Sequence, residues 1–439
     1  MTCLGCGCLC DDVTVRLEEQ RVVQFEPDCP VGLRWFEAAA GARGEPAASV
    51  DGASVDAGVA VERTVELLRG ARRPVVYGLT LTTTEAVRDA LALADRMRAL
   101  VLLGRTAGDL DRVAAFQDLG RVSATLGEVK NRADLVVFWG CDSSRTHPRH
   151  GERYSIDASG RFLPRGRADR TVVVVSERPT STAGEADLWI GVPAASDVEF
   201  MVALRWLLRD PLADTRRVAE TCRVDQLAIG TFLETLSRAR YGAIFFEARA
   251  DGSRGTRAGW EAMTALVRDL NGSARFVLLG MGRGGNLAGA EAALTWQAGF
   301  PQGVDFRRGY PSPVDDRVTL DEVLAARAAD ALLIVADSLP KDLSDAALAH
   351  LRSIPTIVIA PGASEIAGFR PTVALASATC GLDVAGTVTR SDGVVLPLRP
   401  LRDPGYPSDR RWLSLIAEAL GEDEGSGACP LTQPVRTDS

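Results

Sequence analysis

The chain has 439 residues, 46% of them hydrophobic and 25% charged, with a formal net charge of -8. The length predicts two to three domains, and the absence of a basic run argues against a nucleic-acid partner, because phosphate binding needs a basic face. No stretch approaches twenty uninterrupted apolar residues, so no membrane span is expected. The first residues also lack the basic and apolar regions of a signal peptide, so the expected location is the cytoplasm.

The chain opens MTCLGCGCLCDDV, and EPDCPVG follows shortly after. Five of the nine cysteines fall in the first 29 residues. A cytosolic chain seldom builds a disulfide framework, so clustering of this kind favours a metal. Cys3, Cys6, Cys10 and Cys29 make a candidate ligand set with Cys-x2-Cys-x3-Cys-x18-Cys spacing. Closely spaced thiolates can wrap one face of a cubane that a distant fourth closes, which makes a [4Fe–4S] cluster the leading candidate. Four thiolates also suit a closed zinc site, and free thiols are the third alternative. Cys8 is surplus in this scheme. Cys141 and Cys222 read as buried small hydrophobes, and Cys380 and Cys429 carry no motif.

VTVRLEEQRVVQFEP alternates around a turn, as a small β-hairpin would. Residues 41–57, GARGEPAASVDGASVDA, have the composition of a linker. AGVAVERTVELLRG has helical periodicity. RRPVVYGLTLTTTEAVRDALALADRMRALVLLG then reads as strand, loop, helix, strand. ADLVVFWGCDS, RTVVVVSERPTS, YGAIFFEAR, ARFVLLGMG, ADALLIVADS and IPTIVIAPGAS are further short apolar runs bounded by turn residues. Continuous apolar strands arise where helices cover both sheet faces, so the chain is α/β with parallel sheets. Ligands in such sheets bind beyond the C-terminal strand ends. MGRGGN at 281–286 follows one of these strands and is a weak phosphate-loop signal. THPRHGERY contains His147 and His150, two of only three histidines. They read as part of a loop whose polar groups tie the units together, because no third metal ligand lies nearby. GEDEGSGACPLTQPVRTDS reads as a flexible tail.

Several stretches carry a family resemblance. LGEVKNRADLVVFWGCDSSRTHPRHGERYS and VVVVSERPTSTAGEADLWIGVPAASD resemble the cofactor-binding domain of molybdopterin- and tungstopterin-dependent formate dehydrogenases. GEVKNRAD, THPRH and LTWQAGFPQGVDFRRGYPSP are similar to the B subunit of formylmethanofuran dehydrogenase. CGLDVAGTVTRSDGVVLPLRP resembles the family's Glu-x-x-Gly-Thr segment.

The resemblance implies a small N-terminal Fe–S type domain (1–40) followed by two Rossmann-like parallel-sheet domains, one inserted in the other. It places 41–104 and 313–420 in one, 105–312 in the other, and 421–439 in a flexible tail. It also implies that Ser176, Arg178, Thr182, Ser196 and Asp197 occupy positions that hold a pterin-guanine dinucleotide.

The sequence departs from that family at its chemistry. Catalytic members carry a metal-ligating Cys or selenocysteine, then His, Gly and Pro, shortly before the motif matched by AAFQDLG. Here that ligand position falls near Gly108, which has no side chain to offer. Asp109 could supply a carboxylate but not a soft ligand. Asp142-Ser143 replaces an Asn-Pro, and PAASD lacks the Gly that lets a backbone approach phosphates. These departures imply vestigial pterin positions, a lost tungsten or molybdenum cofactor, and no catalytic residue of the dehydrogenase type.

The combination resembles the B subunit of bacterial formyltransferase/hydrolase complexes in tetrahydromethanopterin-linked one-carbon oxidation. That resemblance implies three partner subunits, of amidohydrolase type, β-helix type and formyltransferase type. The alternative is an active tungsten or molybdenum formylmethanofuran dehydrogenase subunit.

Overall fold

The structure is a computed structural model that describes residues 1–41, 46–210, 212–247, 255–315, 318–336, 338–361, 369–403 and 405–421. Two sheets organise it. The first has five parallel strands in the order Arg275–Leu279, Tyr241–Phe246, Leu135–Trp139, Thr171–Ser176, Leu188–Gly191. The second has nine strands around a parallel centre of Leu100–Leu103, Pro74–Gly78, Ala331–Val335, Thr356–Ala360 and Val373–Ala376. Antiparallel strands close both of its edges.

The apolar runs are continuous because both faces of each sheet are covered. In the strand Ala331–Val335, Leu333 and Val335 pack on one face while Leu332 and Ile334 pack on the other. Leu135, Val137 and Trp139 point to one core of the five-stranded sheet and Val136 and Phe138 to the opposite one. Helices such as Thr84–Arg96, capped by Thr83, and Asp197–Arg209 provide the cover. Among the described residues, no helix is long and apolar enough to cross a membrane.

Two expectations about organisation change. Within 41–57, Ala48–Val50 and Ala53–Ser54 are strands on the edge of the nine-stranded sheet, where Val50 pairs with Val373. The turn between them uses Asp51 and Gly52, both at positive φ, as an Asp-Gly hairpin demands. A short edge hairpin of small residues has the composition of a linker.

The bound at residue 312 expected for an inserted unit does not follow the sheets either. Gly303–Asp305 pairs antiparallel with Leu100–Leu103, and Ser312–Pro313 pairs with Gly303–Asp305, so both belong to the nine-stranded sheet. The helix Leu287–Ala298 buries Ala290, Ala293 and Leu294 in the same core. The five-stranded sheet ends at Leu279.

The hairpin Thr14–Glu18/Arg21–Glu26 forms as the alternation predicts, followed by the helix Pro30–Gly41. Residues 1–13 do not stand apart from the sheets. Cys3, Cys8 and Cys10 pack in one core with Phe138 and Phe245, while Leu4 and Leu9 pack with Val388, Leu396 and Leu398. The tail beyond residue 421 lies outside the described residues.

Candidate functional site

The cysteines come together. Cys3, Cys8, Cys10 and Cys29 are buried and Cys6 is half-buried. Cys29 precedes the helix Pro30–Gly41, and the Gly32 N–H donates to its sulfur at 3.4 Å. The Gly5 N–H donates to the Cys3 sulfur at the same distance. Burial pushes the Cys3 thiol up to about 12, with Cys6, Cys10 and Cys29 adding repulsion. All four proposed ligands therefore lie within electrostatic reach of one another.

Burial raises the Cys10 thiol, opposed by a hydrogen bond from Arg153 and by the charge of Arg149, which also lowers Cys6. N–H donors and guanidiniums around sulfur favour thiolates over thiols. Cys8, left over by the spacing argument, donates to Cys6; that bond holds Cys6 down and Cys8 up. Among the described residues, no three His, Cys, Asp or Glu side chains converge on a point that could hold a single metal ion.

THPRHGERY and MGRGGN meet at this segment. The His147 Nε2–H donates to the Gly282 carbonyl at 3.0 Å. His150 is buried against Phe245, its Nδ1 2.8 Å from the Ser155 hydroxyl, and burial drives it down to about 3, so it stays neutral. Both histidines are engaged within the chain. Arg149 forks onto Asp12 at 2.7 and 2.8 Å, and Arg153 reaches Asp11 at 2.8 Å.

The glycines of MGRGGN serve backbone approach instead of a phosphate. A Cβ at Gly284 would stand 2.2 Å from the Leu4 carbonyl oxygen, and one at Gly7 would stand 2.3 Å from that of Met281. The Gly285 N–H donates to the Leu4 carbonyl at 3.0 Å. Three parts of the chain, the cysteine segment and the two sheets, are stitched along this line.

A cleft of about 720 Å³ opens beside it, between the two sheets. Phe246 and Glu247, at the C-terminal end of a central strand, form part of its wall. That is where strand order reverses in the five-stranded sheet, the place at which such sheets bind ligands.

Gly108 lines the cleft from the first turn of the helix Ala107–Leu119. Asp109 is tied down: Thr106 caps the helix and donates its hydroxyl to the Asp109 carboxylate at 2.7 Å, while Arg283 donates to the same oxygen at 2.8 Å. Among the described residues lining the cleft, none is Cys or His.

The five pterin-type positions cluster past the ends of the strands Thr171–Ser176 and Leu188–Gly191. The side chains of three of them, Ser176, Thr182 and Asp197, have partners inside the chain. The Trp189 indole donates to the Ser176 hydroxyl at 2.9 Å, and that hydroxyl donates to the Arg178 carbonyl at 2.8 Å. Thr182 donates to Asp142 at 2.8 Å, and the Trp139 indole donates to buried Asp197 at 2.9 Å. Arg178 is exposed on its loop and Ser196 is half-buried before the helix Asp197–Arg209.

Sequence reasoning missed the charged wall of the cleft. Arg112 and Arg121 flank the Phe116 ring, with guanidinium carbons 5.9 and 5.4 Å from its centroid. Arg112 donates to Glu291 at 2.9 Å, and buried Arg105 approaches the same carboxylate at 3.5 Å. No motif links these residues, and arginines are abundant throughout the chain.

No family model matches the chain. It is 34% identical over 435 residues to the B subunit of the tungsten-containing formylmethanofuran dehydrogenase 2 of Methanocaldococcus jannaschii. The match covers 96% of this chain and 98% of that one.

The chain belongs to the B-subunit family of formylmethanofuran dehydrogenase.

Within that family setting, it is also 28% identical over 366 residues to the B subunit of the formyltransferase/hydrolase complex of Methylorubrum extorquens, covering 82% of this chain and 92% of that one. The crystal structure of that complex with methylofuran matches with a TM-score of 0.70 at 26% identity, over 85% of this chain and 98% of that chain. Acetylene hydratase from Pelobacter acetylenicus shares the fold, with a TM-score of 0.67 at 11% identity over 96% of this chain and 69% of its own. The mixed α/β fold with parallel sheets is therefore shared with both solved proteins.

Proposed function

We propose that the chain is the non-redox structural B subunit of a formyltransferase/hydrolase-type complex. In this reading a formyl group passes from tetrahydromethanopterin to a methanofuran analogue on a transferase subunit. An amidohydrolase-type subunit, scaffolded by this chain together with a β-helix-type subunit, then releases formate. One observation carries the reading. Gly108, near the position where the family resemblance puts the metal ligand, lies in a cleft whose described lining contains no Cys or His.

The donor set does not fit a tungsten or molybdenum pterin. Gly108 offers nothing, Asp109 is held by Thr106 and Arg283, and Ser176, Thr182 and Asp197 are engaged within the chain. For the cysteine segment the reading is a [4Fe–4S] cluster. Cys3, Cys6, Cys10 and Cys29 would hold it, with N–H donors and guanidiniums balancing its negative charge. Bound there, the cluster would staple together a segment with little core of its own.

A second reading, an active tungsten or molybdenum subunit, is favoured by the 34% identity to a tungsten-containing relative over 96% of the chain. Element analysis of the anaerobically purified complex separates the two. The structural reading expects iron without tungsten or molybdenum and no formylmethanofuran oxidation. Stoichiometric tungsten or molybdenum would overturn it.

A further inference from the structure

The cleft has an excess of guanidinium that the fold does not use. Four arginines, Arg105, Arg112, Arg121 and Arg283, lie in or just behind its wall. They face Asp109, Glu247 and Glu291; Asp392, which also lies near Arg121, is already paired with Arg390 at 2.8 Å. Arg283 is matched by Asp109 at 2.8 Å. Glu291 is shared between Arg112 and Arg105. Burial raises the Glu247 carboxyl, and nearby Asp109 raises it further.

Arg121 makes no ion pair or hydrogen bond among the described residues; its contact is the Phe116 face. Arg105 is buried with Nε and Nη1 unpartnered, its remaining nitrogen donating to the Pro301 carbonyl. A buried cation with missing partners is costly unless an anion comes near. The other walls are apolar and aromatic, including Trp260 and the exposed indole of Trp296.

We infer that the cleft binds an amphipathic organic oxyanion, its carboxylate or phosphate held between Arg112 and Arg121 beside Phe116 and its apolar body lying toward Trp260 and Trp296. The guanidinium fork matches either head group. A volume of about 720 Å³ admits a ligand of several rings' size. Glu291 sets the orientation of Arg112, and Arg105 adds charge from behind. The site rests on the reading that no pterin fills the cleft. It lies apart from the Ser176–Asp197 cluster that the family resemblance assigns to the dinucleotide.

Benzoate, phenyl phosphate and benzylamine serve as probes on the purified complex, with tungsten and molybdenum measured in the same sample. Benzoate or phenyl phosphate should change tryptophan fluorescence saturably. Trp296→Phe should remove most of that signal, and benzylamine should have no effect at equal concentration. The tighter of the two anions identifies the head group. Arg121→Gln should weaken binding at least tenfold, with an unchanged circular dichroism spectrum; Arg121→Lys should recover only part of it.

Silence towards both anions in a sample free of tungsten and molybdenum overturns the anion site alone. Silence together with stoichiometric tungsten or molybdenum overturns the site and the structural reading together. Equal affinity in Arg121→Gln, or equal response to benzylamine, overturns the assignment of Arg121.

Discussion

Arg149 and Asp12 form a two-pronged ion pair, at 2.7 and 2.8 Å, across 137 residues of sequence. The arginine belongs to the loop that follows the first strand of the five-stranded sheet. The aspartate lies two residues after Cys10. The pair therefore locks the cysteine segment to the inserted unit, and Arg149 also donates to Glu152 at 2.7 Å.

Arg149→Gln should destabilise the protein by about 1–3 kcal/mol, the range for hydrogen bonds to a charged group. Arg149→Lys should not restore the loss, because an ammonium cannot fork. Asp12→Asn in the Arg149→Gln background should add little. Thermal melting of the four proteins of that cycle checks the coupling. Fully additive losses would mean that the two side chains act independently.

Cys8 and Cys10 should separate on metal content. Cys10→Ser removes a proposed ligand and should lower both bound iron and melting temperature. Cys8→Ser should keep the iron and lose about 1–3 kcal/mol, the penalty for a poorly partnered buried hydroxyl. Iron assay and melting of both variants provide the comparison. Because Cys3, Cys8 and Cys10 pack with Phe138 and Phe245, the damage should reach the five-stranded sheet and not stay within residues 1–40.

Gly7→Ala and Gly284→Ala should each be destabilising by about 1–3 kcal/mol or more, since backbone has to move to admit the new methyl. Gly120→Ala has open space around it and is a control for crowding, though its φ of +80° adds backbone strain of its own. Limited proteolysis of the first thirteen residues should accelerate in the first two variants and not in the control.

Asp409 gives a pH signature. It is fully buried at the start of the helix Asp409–Leu420, accepts from Thr82 at 2.7 Å, and is raised by burial from 3.8 to about 6. The folded state therefore holds this proton more tightly than the unfolded chain does. Its contribution is fully present below about pH 4 and is lost as pH rises to about 6. Asp409→Asn should remove that slope, so the stability difference between variant and parent grows across this window and is flat above it. Denaturant titrations between pH 4 and 7 would show it; parallel profiles would contradict it.

The sequence revealed features that depend on local pattern. Buried parallel strands are runs of Val, Leu and Ile, the hairpin at 14–26 alternates, and the thiol spacing stands out. Features set by long-range pairing were harder to see. The edge strands at 48–54 are too short and small to show a period, although Asp51-Gly52 is a hairpin signal. The late boundary of the insertion arose because Gly303–Asp305 gives no hint that its partner is Leu100–Leu103. MGRGGN pointed to a tight backbone, but only the fold shows that the Leu4 carbonyl and not a phosphate occupies the space. Cys8 was passed over because spacing cannot distinguish a ligand from a ligand's hydrogen-bond partner. The Arg112 and Arg121 wall was invisible because its members meet only through Phe116.

The packing of Leu4 and Leu9 against Val388, Leu396 and Leu398, with the Thr2 hydroxyl on the Pro397 carbonyl, joins positions nearly 400 residues apart. During synthesis the thiols of Cys3, Cys8 and Cys10 cannot reach their final burial until that distant stretch has been made and docked. For most of translation they are open to oxidants and to whatever delivers metal. If these thiols hold the proposed cluster, whatever loads it by direct contact has to act on a nascent or partly folded chain.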